Sequence, residues 1–571
     1  MDISLQDNPA FQRYSEATTA ELFYDLFFVG NLTTFTTALE INDSESLTAY
    51  IGFFALLWLT WYQVSLYDVR FSADSIFERI AKAVHFGVMV GFAVIGPQWN
   101  PGQAVDDYKI YKTFGLMLMV SRLTLFFQYG VTLLYTKRYK TTILPLSLII
   151  ASTALAAILY GALTPTFPEK SLADDGHELP KKSKVYIAWY VIAICETMFT
   201  VTVSCYWRII SFKGTHMVQR MSLLTLIILG EGIIVVCKSI SRIVKNEYLW
   251  SVPVVAQIIA AILIIYFLYM LYFDRMHDEH FGSIRQQIWS FAHFPLHIVL
   301  VLVLQGVSLL ILWRQAVDMF DSLFNGWEPA LRWLIDDLGN FDPDSPFGHE
   351  LERVNGNYTV GTAFANYFNA TCYEHVYNYI PKGVDASKEV KAVANAWKEI
   401  QIGLDYYVDD RTNDTAFEQM YTGVNAMASA TYKTLFDTLS VTVAERGTGN
   451  EGGVPNLEET HVQYYKIFDL IVTYTFVAGG LTLVLTASLG YLSLPMDRRR
   501  KSTIVRLAVT ATAGVGLSLV SLIRFDQSHM YAYLGSAWMI PTICLMLFFC
   551  MVVDHIGVPW KKIPWWRRRT K

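Results

Sequence analysis

SVPVVAQIIAAILIIYFLYMLYF, residues 251–273, holds 23 positions without one charged side chain. A run of that length and continuity matches an α-helix crossing a hydrocarbon layer, since about 20 apolar residues at 1.5 Å each span it. A membrane strand would alternate apolar and polar positions over about ten residues, and this stretch does not.

Similar runs recur along the 571 residues. The chain is 53% hydrophobic and 17% charged, with a mean hydropathy of +0.32, values foreign to a soluble protein of this size. Twelve spans are expected, near 19–41, 47–67, 79–98, 112–134, 142–163, 185–208, 219–241, 251–273, 285–311, 463–487, 504–524 and 531–553. The fold class is therefore an all-α polytopic membrane protein. Residues 1–18 are polar and lack an apolar core, so the first span is expected to serve as its own insertion signal.

Basic residues cluster in alternate connections: Arg70 and Arg79; Lys137, Arg138 and Lys140; Arg208, Lys213 and Arg220; DRRRKS (497–502); and the tail KKIPWWRRRTK (561–571). The positive-inside rule places these connections, and with them both termini, on the cytoplasmic side of a plasma membrane or endomembrane. Lys238, Arg242 and Lys245 fall on the wrong side of that map.

The connection 313–460 is far longer than the others and carries a net charge of about −13. It falls on the non-cytoplasmic side and contains three sequons, at Asn357, Asn369 and Asn413, the glycosylation candidates. ASKEVKAVANAWKEIQIGL (386–404) has helical patterning, so a small folded, mostly helical insertion is expected, either a solubilising cap or a lid that binds a partner.

The sequence also looks duplicated. YDLFFV (24–29) resembles GEGIIV (230–235), setting Asp25 against Glu231 at an offset of 206; Asp68 answers Asp274 at the same offset, and His85 answers His293 at 208. Beyond the insertion, YKTF (111–114) answers YKIF (465–468), KTTI (140–143) answers KSTI (501–504), and AWYVIAIC (188–195) answers AWMIPTIC (537–544). The expected organisation is a cytoplasmic segment 1–18, a first six-helix repeat 19–210, three helices of a second repeat at 216–312, the insertion 313–460, the remaining three helices at 461–554, and a basic tail 555–571. Six spans per unit is an even number, which makes the repeat parallel, with its pseudo-two-fold axis along the membrane normal. Transporters of that plan place their sites between the halves.

Ionisable residues within spans are functional candidates by default. Glu21 and Asp25, four apart, share a helix face, unless Glu21 sits at headgroup level near the helix N-terminus. Glu231 lies deep in the seventh span between two glycines, and Arg220, eleven residues earlier, is too distant to pair with it. Arg122 needs an acid, which Asp25, Glu196 or Glu231 could supply; Asp469 and His85 complete the set. His293 and His297 flank Pro295 on one face, open to a metal pair, a proton relay or plain structural roles. No acid accompanies them in the zinc-protease pattern, and no metal site is assigned. Cys195, Cys205, Cys237, Cys544 and Cys550 lie in or beside apolar segments and Cys372 in a polar one, a pattern expected of small buried residues rather than of disulfides.

ELFYDLFFV (21–29), RFSADSIFERI (70–80), HMVQRMSLLTLIILGEGIIVV (216–236) and IWSFAHFPLHIVL (288–300) resemble the low temperature requirement A family (LtrA), a multi-pass membrane family. The acids Glu21, Asp25 and Glu231, with Arg220 and His293, stand on its motif positions. The insertion departs from the compact bacterial members and resembles the larger fungal ones.

Phosphate-binding loops, dinucleotide glycine patterns and serine elbows are absent, so no enzyme activity and no cofactor are expected. The expected function is a secondary transporter or proton-linked permease with Asp25 and Glu231 as paired protonatable sites. An ion or proton channel, and a receptor or scaffold acting through the insertion, remain open alternatives. The expected partners are the lipid bilayer and an unknown small solute or ion, without nucleic acid; self-association is left open.

Overall fold

The computed structural model describes residues 17–38, 43–99, 108–168, 182–211, 215–244, 251–276, 283–336, 359–377, 387–410, 412–439, 457–495 and 499–556, with single positions 41, 101, 344, 348, 349 and 441. Among the described residues there is no strand.

The first nine helices are α1 (Thr19–Ala38), α2 (Ser44–Phe71), α3 (Ile76–Ile95), α4 (Lys109–Thr136), α5 (Lys140–Leu163), α6 (Tyr186–Tyr206), α7 (Met217–Val244), α8 (Val252–Phe273) and α9 (Ser283–Asp336). The insertion contributes α10 (Val360–His375), α11 (Ser387–Asp409) and α12 (Asp414–Thr438). The chain ends with α13 (Leu457–Ser493), α14 (Lys501–Leu519), α15 (Gln527–Leu534) and α16 (Met539–His555). Each expected span coincides with helix. Among the described residues ten helices are long and apolar enough to cross a membrane, or eleven when the bent pair α15–α16 is counted as one span. The first expected span, α1, falls outside that count. It is helical but carries Glu21, Asp25 and several threonines along its 20 residues.

Two expected boundaries are displaced. The ninth span does not stop near 311, because α9 runs on through Asp336 for 54 residues in all. Trp313, Ala316, Phe320, Leu323, Trp327 and Ala330 continue a buried stripe at helical spacing, so the helix has a face to bury beyond the apolar run. The twelfth span does not begin at 531: a turn at residues 535–538 separates α15 from α16 by an 85° bend, and Pro541 sits in the first turn of α16, where its missing N–H costs nothing.

Helix neighbours recur across the two sets of six. In the first, α1 packs on α3, α3 on α4, α4 on α5, α5 on α6, and α2 on both α4 and α6. In the second, α7 packs on α9, α9 on α13, α13 on α14, α14 on α16, and α8 on both α13 and α16. The sets meet through α1 and α2 against α7 and α9. Accordingly α2 and α9 are interior helices, apolar around most of their circumference and covered on it, whereas α3 and α5 turn Val94, Leu155 and Ile158 outward, as lipid contact requires. One close crossing is α13 on α14. A Cβ on Gly480 would stand 2.2 Å from the Gly514 carbonyl oxygen, and one on Gly514 2.5 Å from that of Gly480, so neither position tolerates a side chain.

The insertion is helical and rests on the membrane helices: α12 packs on α13, α10 on α9, and α11 forms a close hairpin with α12. Arg242 in the last turn of α7 donates from Nη1 to the Leu439 carbonyl at 3.1 Å, at the C-terminal end of α12. That cation, out of place on the charge map, is held by the carbonyl end of a helix in the insertion. Asn357 and the tail beyond residue 556 lie outside the described residues.

Candidate functional site

Glu21 and Asp25 are four residues apart on α1; His216, just before α7, and Arg220 are four apart in turn. Equal spacing lets two parallel helices match acid to base twice. Glu21 Oε2 lies 2.7 Å from His216 Nε2, and Arg220 Nη2 donates to Asp25 Oδ1 at 2.6 Å. Both contacts have a sequence offset of 195, which defines the register of α1 on α7.

From α2, Trp61 Nε1 donates to the same Asp25 oxygen at 2.8 Å, and its ring lies under the guanidinium, 5.3 Å from centroid to Cζ. Asp68, seven residues after Trp61 on α2, stands 3.7 Å from Arg220 Nη1, an ion pair too long for a hydrogen bond. Arg220 and Asp25 are fully buried, and Asp68 nearly so. The pairing is incomplete: Asp25 Oδ2, Asp68 Oδ1 and Arg220 Nε and Nη1 have no hydrogen-bond partner among the described residues. One arginine thus serves two buried carboxylates unequally, bonding Asp25 and only facing Asp68. The group holds three carboxylates, Glu21, Asp25 and Asp68, against Arg220 and His216, with the half-buried Lys82 and the buried Glu78 both acting on Asp68 from α3.

Glu231 does not join them. Thr33 Oγ1 donates to its Oε2, and Thr36 Oγ1 donates to its Oε1 at 3.2 Å. The Thr36 contact repeats the offset of 195, so Glu231 lies level with Thr36, eleven residues past the Asp25–Arg220 level, about 16 Å along the helices. The sequence likeness at offset 206 sets Asp25 opposite Glu231; the packed register does not, and the two acids stand three turns apart.

The remaining candidates occupy separate contacts. Arg122 takes Glu196, with Nε to Oε2 at 2.7 Å, both buried between α4 and α6. His85 Nε2 bonds Gln128 Oε1 at 3.0 Å; Gln128 donates to Glu78 at 2.8 Å, and Tyr67 donates to Glu78 at 2.6 Å, a buried chain across α2, α3 and α4. His297 accepts at Nδ1 from Trp58 Nε1 at 2.9 Å, which makes it the neutral Nε2–H tautomer, donating to Thr225 Oγ1 at 2.8 Å. His293 bonds the Trp289 carbonyl through Nδ1 and the Tyr272 hydroxyl through Nε2, both at 2.8 Å. With all four ring nitrogens engaged by protein groups, no lone pair of this histidine pair is free for a metal. Asp469 faces Arg524 at 3.6 Å. Asn369 is exposed within α10, and Asn413 caps α12, accepting from Ala416 N at 3.1 Å.

The six cysteines are all free; Cys372, Cys544 and Cys550 are buried, while Cys195 and Cys237 face outward, contrary to the expectation of uniform burial. An apolar bilayer surface accepts a thiol as readily as a core does.

Residue-by-residue reading passed over His216, Trp61 and Glu78 as site residues and took Asp68 only as a repeat marker. The matching i, i+4 spacings of 21/25 and 216/220 were the available signal for His216 and for Arg220 as the partner of Asp25.

No solved structure and no curated protein matches this chain. The family model described as bacterial low temperature requirement A protein (LtrA) matches residues 16–328, more than half of the chain, ending inside α9. That span contains the whole acid–base group between α1, α2 and α7, and the chain belongs to the low temperature requirement A family.

Proposed function

We propose that this membrane protein is a secondary transporter or proton-linked permease, in which Arg220 changes partner between Asp25 and Asp68. The observation that carries the proposal is the one guanidinium, fully buried where the two helix sets meet, bonded to one carboxylate and 3.7 Å from the other. A proton or cation arriving on Asp25 cancels its hold on Arg220 and leaves Asp68 as the stronger partner. Because Asp25 is on α1, Asp68 on α2 and Arg220 on α7, the exchange alters how the sets are tied together. A two-state tie of this kind is what alternating access needs. The recurrence of helix neighbours in the two sets supports a parallel two-unit organisation.

In this reading both termini are cytoplasmic, the insertion lies on the opposite side, and the chain carries out no catalysis. Glu231, three turns away on threonine hydroxyls, is a separate station and not the twin of Asp25. Arg122–Glu196 and the two histidines of α9 hold helices together.

The test uses purified chain in pyranine-loaded liposomes, with a panel of solute gradients and lumenal pH as the readout. Asp25→Asn and Asp68→Asn are expected to abolish solute-driven proton movement while remaining monodisperse. Wild-type rates in both variants overturn the reading. Currents far above a carrier's turnover would replace it with a channel.

A further inference from the structure

Where the insertion meets the membrane helices there is a half-open cavity of about 520 Å³, lined by residues of α9, α12, α13 and α15. That volume is in the range of small-molecule sites. Its walls are largely aromatic. Tyr465 and Tyr531 stack at 3.7 Å between centroids, His461 lies 6.0 Å beyond Tyr531 at 13°, and Phe320 meets Tyr432 at 4.0 Å. Trp313 Nε1 donates to the Leu534 carbonyl at 2.9 Å, which fixes α15 as one wall.

The lining gives the cavity a charge preference. Asp321 and Glu458, both exposed, line it, and no lysine or arginine does among the described residues. The neighbouring acid Asp318 is already taken by Arg314, while among the described residues no cation pairs with Asp321 or Glu458.

We propose that this cavity binds an organic cation, an alkylated ammonium attached to an apolar body, with its charge over the tyrosine rings and between Asp321 and Glu458. Aromatic faces attract a poorly hydrated cation through their quadrupole, and the ring walls accept the apolar body. A small inorganic cation would leave those walls uncovered, and an anion would meet both carboxylates. The same chemistry is available from a free solute or from a choline-type lipid headgroup. The site is separate from the Arg220 cluster and stands whether or not the chain transports.

The experiment measures equilibrium binding of phenyltrimethylammonium to the full chain in phosphatidylglycerol nanodiscs, with neutral tert-butylbenzene as the isosteric control. Saturable binding at one site per chain is expected. It should weaken about tenfold, some 1.4 kcal/mol, in Tyr531→Ala and in the double variant Asp321→Asn, Glu458→Gln, and be unchanged in Gly30→Ala. Glu458→Gln alone alters an exposed position and keeps the test available if the others fail to fold. Repeating the measurement in phosphatidylcholine nanodiscs separates the sources. Lost binding identifies a lipid headgroup as occupant, and retained binding a free solute. Equal binding of the neutral isostere, or full affinity in all the cavity variants, overturns the proposal.

Discussion

Asp25 and Arg220 meet at 2.6 Å with both side chains wholly withdrawn from the surface, and the acid spends one oxygen on two donors while its other oxygen has none. A buried pair in that condition is more costly to break from one side than from the other. Arg220→Ala removes the one guanidinium that Asp25 and Asp68 share, and the loss is expected to be about 3–5 kcal/mol. Asp25→Asn keeps an acceptor for Trp61 and should cost less. Thermal unfolding of the two purified variants, side by side, gives the comparison, and equal losses would argue against a charged pair.

Arg122 and Glu196 form a second buried pair, at 2.7 Å between α4 and α6, and it too is incomplete: Arg122 Nη2 and Glu196 Oε1 have no hydrogen-bond partner among the described residues. Either single apolar substitution should destabilise by about 3–5 kcal/mol, whereas Arg122→Met combined with Glu196→Leu should be neutral or stabilising by about 1–4 kcal/mol. The double variant should also transport as the wild type does. Failure of flux with stability intact would move this pair into the pathway.

A Cβ on Gly480 would meet the Ser518 hydroxyl at 2.1 Å and, behind any movement of that side chain, the Gly514 carbonyl at 2.2 Å, so the α13–α14 crossing cannot yield locally. Gly480→Val is expected to lower stability by about 1–3 kcal/mol, read as the unfolding midpoint in detergent. Gly30 has nothing within 4 Å of a built Cβ, and Gly30→Ala serves as the neutral control.

If the insertion enters the secretory lumen, its sequons differ in presentation. Asn413 stands at the start of α12, in a turn, while Asn369 is within helix α10. Expression in a eukaryotic host should give a glycan-dependent mobility shift that Asn413→Gln removes and Asn369→Gln leaves in place. The reverse pattern would contradict this assignment.

The helical membrane fold was legible because spans such as 251–273 are continuous apolar runs that admit no other structure. Partners were harder to read. Spacing places Glu21 and Asp25 on one face of α1 but does not say which helix comes to that face. The separation of Glu231 from Asp25 is hidden for a related reason: a sequence likeness at offset 206 does not record register, which is set by how α1 and α7 pack. The end of α9 was obscured by Arg314, Gln315 and Asp318, which interrupt the apolar run without interrupting the helix. Trp313, Phe320 and Trp327 marked its continuation, at a periodicity that a search for unbroken hydrophobicity passes over.

Between Pro295 and Pro329, α9 is an uninterrupted rod of roughly 50 Å. One end lies beside His293 and His297, against the helices that hold Arg220; the other carries the wall of the aromatic cavity. A lever of that length turns a tilt of about 5° at one end into a sweep of about 4 Å at the other. A tilt of this one helix is therefore felt both at the helices that hold Arg220 and at the cavity wall beneath the insertion.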